Sequence, residues 1–276
     1  MTVASQILTS LFMLIKLQSI NISRVSTRRI MNLTKSDSKK DQAFTVFVEG
    51  NIGSGKTSFL QHFSKHNVLL LAEPVEAWRN IKGHNFLDLM YKDPMKWGLA
   101  FQSIVQKTML DLHLRTSHEP IKMMERSIFS ARYVFVENLH RTQKLSSPDY
   151  TVLDEWFQWI TKNLHIKGDL TVYLRTDPEV VYKRIKARAR PEEAHVPLEY
   201  LKQLHLMHED WLYHKVSYSC PAPVIIVDAN KDLPNMLEEY KKCELEIASN
   251  GYQIGPAQKN IEISSMIDAK INKIVF

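Results

Sequence analysis

The sequence predicts an α/β fold, a five-stranded parallel sheet with helices on both faces. Short apolar runs fall at 44–48, 68–71, 121–124, 170–174 and 224–227. Longer segments with helical spacing lie between them. Strands alternating with helices build parallel sheets, and strands buried on both faces read as continuous apolar runs. The chain has 276 residues, 44% of them hydrophobic, which is ample for a sizeable core.

Taken in order, the first run leads into Gly50, and Phe59, Leu60 and Phe63 then mark a helix. Phe101, Val105, Met109 and Leu112 recur at one helical face, while Leu99, Ser103 and Gln106 face elsewhere. Trp156, Trp159 and Ile160 read as a packing face. Asp177 before Pro178 reads as an N-cap with proline at the first helical position, and Val180, Val181 and Ile185 as that helix's inner face. A further helix is expected over 197–216, with Leu201, Leu204, Met207 and Trp211 inward, and a mixed-charge surface helix over 233–247. Ligands of such sheets bind beyond the carboxyl ends of the strands. That rule points to Gly50, Glu73, Glu125, Arg126, Arg175 and Asp228.

Residues 1–40 hold seven basic residues and one acid, so the whole chain's net +6 sits there and the remainder is balanced. The body therefore shows no global excess for gripping a nucleic-acid backbone, and no nucleic-acid partner is expected. The apolar stretch 7–15 is too short to span a bilayer, and no membrane partner is expected. An amphipathic leader containing Arg and Ser, with no acid before Asp37, reads as a mitochondrial transit peptide. The alternative is a leader bypassed by starting at Met31, which leaves the protein cytoplasmic. Two cysteines, Cys220 and Cys243, exclude a disulfide scaffold. His205, His208 and His214 lack a further ligand at convincing spacing, so no zinc site is expected. The organisation expected is a leader over 1–40, one domain over 41–248 and a loose tail over 249–276.

Gly50, Asn51, Ile52, Gly53, Ser54, Gly55, Lys56 and Thr57 spell G-x-x-x-x-G-K-T. This is a phosphate-binding loop, placed as required between a strand and a helix. Its glycines let backbone N–H groups wrap an anion. Lys56 should reach the β- and γ-phosphates of ATP, and the Thr57 hydroxyl should help hold Mg²⁺. A GTPase would need N-K-x-D, and Asn230-Lys231-Asp232 is one residue short, so it reads as a turn. A motor or helicase would need a longer chain. A small-molecule kinase remains.

The loop, Glu73-Pro74-Val75-Glu76-x-Trp78, Phe101-Gln102, Glu125-Arg126-Ser127 and Arg184-x₃-Arg188-x-Arg190 follow one another in an order that resembles the deoxyribonucleoside kinase family. The resemblance covers about 43–215. It implies the P-loop kinase fold with an arginine-rich lid, and ATP-dependent phosphorylation of a deoxynucleoside 5′-hydroxyl in nucleotide salvage. Glu73 then matches the base, with Glu76 second, and a strand-end carboxylate suits that task. Arg126 would neutralise phosphate charge or hold Glu73, and Glu125 would assist Mg²⁺. Arg188 and Arg190 match the lid that clamps the triphosphate.

The resemblance also implies the nucleoside pocket. Gln102 matches the base reader, Phe135 the stacked aromatic, and Trp78 and Phe101 the lining. Tyr91 and Glu193 match groups that hold the sugar 3′-hydroxyl, and Val105, Met109 and Ala131 match wall positions. A neutral Met109 and a small Ala131 resemble the thymidine-accepting members, so thymidine and deoxycytidine are the expected substrates. A homodimer is expected through helices near 97–115 and 129–163. Two alternatives compete. A nucleoside monophosphate kinase would need more phosphate-binding arginines in the acceptor pocket. A non-catalytic respiratory-complex subunit would have lost Lys56, the base or the lid.

Overall fold

The computed structural model describes residues 43–249, so the expected leader and all of the expected tail but Ser249 lie outside the described residues. The sheet is parallel in the order β2-β3-β1-β4-β5. Its strands are β1 (Phe44–Glu49), β2 (Val68–Leu71), β3 (Ile121–Glu125), β4 (Leu170–Arg175) and β5 (Val224–Asp228). Four of them run one residue beyond the apolar runs, into Glu49, Glu125, Arg175 and Asp228. These polar residues still pair in the ladder, Val48 with Glu125 and Arg175 with Asp228. The sheet thus carries its charged groups to the carboxyl edge on regular backbone.

Between the strands lie α1 (Lys56–His62), α2 (Val75–Arg79), α3 (Phe86–Lys92) and α4 (Pro94–His113). The next helix, α5, is built of Ile128–Ser130, a π-helical stretch Ala131–Val136, and Glu137–Arg141. Then come α6 (Ser147–Asn163), α7 (Pro178–Arg188), α8 (Leu198–His208) continued as a π-helix over Glu209–Tyr213, and α9 (Leu233–Ser249). Asp93 and Ser146 cap α4 and α6, each accepting from the backbone N–H three residues on. Asp177 stands at the N-cap of α7 before Pro178, as expected, but its side chain makes no cap bond.

Alternation along the strands feeds two cores. Phe44, Val46, Val48, Ile121, Met123, Val172 and Leu174 pack with Phe59, Phe63 and the inner face of α9. Phe47, Met124 and Tyr173 face the other way, into a cluster with Phe101, Val105, Met109, Leu204 and Trp211. The α4 stripe is buried as its spacing predicts, with Leu112 half-buried at its end. Gln106 is also buried, and its amide donates to the Leu153 carbonyl at 2.9 Å. The α9 helix has a solvent face, yet Met236, Tyr240, Cys243 and Ile247 are all buried. Ile160 is core, but Trp156 and Trp159 are more than half exposed and meet each other edge to face at 6.2 Å, so they lie outside the buried clusters of the described residues.

One buried junction links the two sides of β3. Lys122 Nζ donates to the carbonyls of His113 and Arg115 at 2.6 and 3.0 Å. His113 Nε2 accepts from the Ile128 N–H at 3.0 Å, at the start of α5. That bond requires an unprotonated nitrogen. Burial, helped by Lys122, pushes the imidazole down to about 3. The folded value lies below the unfolded one, so the unfolded chain binds the proton more readily. Stability from this residue is complete above the unfolded value and is lost as pH falls towards the folded one. We predict that between about pH 7 and about pH 5 the parent loses about 2 kcal/mol more stability than His113→Gln, which keeps an acceptor but does not titrate. Denaturant unfolding at each pH reads this out, and parallel curves would refute it.

Candidate active site

Beyond Glu49 the chain turns at Gly50 with φ of +146°. A Cβ there would stand 2.7 Å from Ser54 Oγ and 2.8 Å from the Leu174 carbonyl oxygen, so the turn requires glycine. Asn51 fastens the loop to α8, its amide donating to the Leu201 carbonyl at 2.8 Å, and its Oδ1 accepts from the Ile52 N–H at 2.8 Å. Gly50 and Asn51 are therefore scaffold, while Ile52, Gly53, Ser54, Gly55, Lys56 and Thr57 line open space. Lys56 is buried, and its Nζ donates to the Asn51 carbonyl at 2.8 Å and the Gly50 carbonyl at 3.2 Å. Burial and the Arg126 charge push it down to about 7, against the pull of Glu125, Glu73 and Glu49. The buried Ser54 hydroxyl has no partner. An ammonium held only by carbonyl dipoles and an unused hydroxyl fit an incoming polyanion.

Thr57 Oγ1 donates to Glu125, 3.1 and 3.2 Å from its two oxygens. Hard oxygen donors of this kind suit Mg²⁺, which usually takes one or two protein ligands and completes its shell with water and phosphate. Among the described residues no group of three or more His, Cys, Asp or Glu side chains is placed to hold a metal.

Arg126 sits at φ +64°, a left-handed conformation that a bulky side chain adopts only under constraint. Its Nη1 donates to the Gly50 carbonyl at 2.9 Å, its Nε lies 3.1 Å from Glu73 Oε1, and its guanidinium carbon stands 4.6 Å from the Phe135 ring centre. Burial pushes the Glu73 carboxyl upward against the pull of Arg126, and Glu125 adds to the rise. Behind them Glu49 is fully buried and accepts from Ser127 Oγ at 2.5 Å. Burial pushes it up to about 7.

Two cavities open here. The first, about 200 Å³, is walled by Trp78, Tyr91, Phe101, Gln102, Val105, Phe135 and Glu193, and Glu73 and Arg126 stand at its mouth. Trp78 and Phe101 meet edge to face at 5.6 Å. Gln102 is 2% exposed, and its Oε1 has no partner. The second, about 450 Å³, lies over the phosphate loop. Gly53, Lys56, Thr57, Glu125, Arg188 and Arg190 line both. The two cavities are two ends of one cleft that meet at its cations. Arg188 and Arg190 are engaged by Glu193. Arg188 Nη2 donates to its oxygens at 2.6 and 2.8 Å, and Arg190 approaches at 3.5 Å.

Several sequence expectations fall elsewhere. Met109 and Ala131 belong to the buried cluster and do not line the cavity. Arg175 is taken by Glu209 through bonds of 2.7 and 3.0 Å, and Asp228 is exposed. Neither lines the cleft. Arg184, part of the arginine motif read in the sequence, also lines the second cavity, but sequence reasoning missed the rest of its far wall, formed by Ala229, Lys231, Asp232, Met236 and Tyr240. Met236 and Tyr240, spaced i, i+4, were the available signal. In the first cavity it missed Leu87, Met90 and Tyr200.

A family model described as deoxynucleoside kinase matches residues 46–249. Human mitochondrial thymidine kinase 2 is 48% identical over 207 residues, 75% of this chain and 78% of that one. A probable deoxycytidine kinase of fowlpox virus (strain NVSL) is 35% identical, over 68% of this chain and 79% of its own. Deoxycytidine kinase 1 of Xenopus laevis is 31% identical, over 68% and 82%. A phosphate loop, a carboxylate held against an arginine and a cavity with an unpaired amide occur in the span that the family model covers. The chain belongs to the deoxynucleoside kinase family.

Proposed function

We propose that this protein transfers the γ-phosphate of ATP to the 5′-hydroxyl of deoxynucleosides in nucleotide salvage, with thymidine and deoxycytidine preferred. The observation that carries the reading is the meeting of two cavities at Lys56, Thr57, Glu125, Arg188 and Arg190, with Glu73 on the side of the first. The names of the relatives, thymidine kinase 2 and deoxycytidine kinase, support the acceptor class.

On this reading Glu73 accepts the proton of the 5′-hydroxyl as that oxygen bonds to the γ-phosphorus and the bond to the ADP oxygen breaks. The upward shift of its carboxyl brings it towards the working range of a general base. Arg126 fixes Glu73 from one side, and Lys56 with Arg188 and Arg190 offsets charge on the transferring phosphoryl group. Thr57 and Glu125 would hold Mg²⁺, which supplies charge neutralisation at the phosphates. The buried Gln102 amide, its Oε1 unpaired, offers an acceptor and donors to a pyrimidine edge, and Phe135 lines the same cavity. Pyrimidine preference rests on this pair, because Met109 and Ala131 stand behind the wall. Tyr91 and Glu193 line the same cavity, and on this reading they hold the sugar hydroxyl.

Val152, Trp156 and Trp159 form an exposed apolar stripe on α6, at i, i+4 and i+7. A stripe of this kind marks a contact surface, and it supports a homodimer through α6. The mitochondrial names of two relatives and the basic leader support a mitochondrial address.

Three results are expected. With Mg-ATP the purified protein phosphorylates thymidine and deoxycytidine, and Glu73→Gln lowers kcat by roughly 10² or more; a folded, ATP-binding protein inert towards all four deoxynucleosides would sink the reading. Trp156→Glu with Trp159→Glu halves the mass seen by light scattering, and an unchanged mass would remove α6 as the interface. A reporter carrying residues 1–40 is imported and shortened by isolated mitochondria; a reporter left outside would return the protein to the cytoplasm.

A further inference from the structure

Arg79 closes α2, six residues after Glu73, and the same short helix presents Val75, Glu76 and Trp78 to the first cavity. Glu192 lies in the lid turn Pro191–Glu193, between Arg190 and Glu193. The two meet across 113 residues of sequence. Arg79 Nε donates to Glu192 Oε1 at 2.7 Å and Nη2 to Oε2 at 3.1 Å, the parallel two-bond arrangement that fixes orientation as well as distance. Asn85 Nδ2 approaches the same carboxylate at 3.5 Å, and Arg79 also pairs with Glu76. The Glu192 side chain is 9% exposed and that of Arg79 22%. This is not a freely solvated surface pair, whose contribution would be small.

Each partner belongs to a different half of the cleft. The α2 helix touches the acceptor end. The lid carries Arg188 and Arg190, which face both ends, and Glu193, which binds both arginines. The lid leaves α7 at Ala189, whose φ of +52° marks an abrupt change of direction. Beyond that bend, the Arg79 bonds hold the lid turn to the acceptor side. A nucleoside that settles against Trp78 therefore also sets where Arg79 holds Glu192, and with it the neighbouring arginines.

We infer that the Arg79–Glu192 pair couples the two halves of the cleft, so that the acceptor nucleoside tightens binding of the phosphate donor and the donor tightens the nucleoside. The inference rests on the kinase reading above. Arg79 acts here as a positioning residue, since it lines neither cavity. Coupling of this kind is reciprocal, so one affinity ratio describes both directions.

The test is titration calorimetry of β,γ-imido-ATP with Mg²⁺, with and without saturating thymidine. In the parent, thymidine should tighten the analogue by roughly tenfold. In Arg79→Ala and in the milder Glu192→Gln that ratio should fall to about twofold or less, and the exchanged pair Arg79→Glu with Glu192→Arg should restore most of it. Turnover should show the same split, with both KM values raised about fivefold in the single variants and kcat changed less. If the single variants keep the parent's ratio, or the parent binds both ligands independently, the inference is overturned. If they lose it and the exchange does not restore it, the loss belongs to the fold around the lid and the pair is overturned as the link. A parent that binds neither ligand overturns the kinase reading itself, which is a distinguishable result.

Discussion

Arg126 is the post to which the cleft is tied. One side chain bonds the carbonyl at the start of the phosphate loop, ion-pairs Glu73 and covers the Phe135 ring. Three segments from different strands meet there, and the backbone accepts a left-handed conformation to bring the guanidinium into position. Strain of that order, about 1–3 kcal/mol, persists only where the surroundings over-determine the residue. Here they do. The Arg126 N–H bonds to the Val48 carbonyl at 2.9 Å, and the next residue, Ser127, is held by Glu49 and caps α5.

Charge in the cleft is balanced by the protein's own groups. The Gly50 carbonyl takes bonds from both Lys56 and Arg126. Glu193 engages Arg188 and Arg190. A triphosphate entering this site exchanges partners rather than meeting bare cations. The gain is the difference between phosphate and carbonyl or carboxylate contacts, and that difference is larger for a multiply charged ligand than for a small anion.

Much of this was legible in the sequence, because the relevant signals are local. Apolar runs located all five strands, and the glycine-lysine-threonine spacing located the loop together with its strand and helix. Strand ends were read one residue short because Glu49, Glu125, Arg175 and Asp228 are polar, although ladder pairing depends on backbone and not on polarity. What could not be read was which strand-end charge faces the cleft. Arg175 satisfies the positional rule as well as Arg126 does, but Glu209, 34 residues later, claims it. Met109 and Ala131 illustrate the same limit. Their burial follows from helical spacing, whereas standing at a wall or one layer behind it is decided by neighbours such as Val105. The tryptophans of α6 look like core in composition, but the buried side of that helix is made by Leu153, Phe157 and Ile160.

The π-helical stretch Ala131–Val136 constrains the length of α5. A π turn accommodates one residue more than an α turn, and such turns arise as single-residue insertions in an α-helix. It lets α5 serve two registers. Phe135 on one side faces the cleft, while Arg132 and Glu137 on the other reach Tyr150, and Glu137 also reaches Tyr218. Removing one residue there would leave a regular helix and rotate the Glu137–Arg141 segment by about 100°. The aromatic floor of the cleft and the ionic anchoring of α6 could then no longer be satisfied together. A deletion that would restore regular backbone hydrogen bonding is one this fold has no room for.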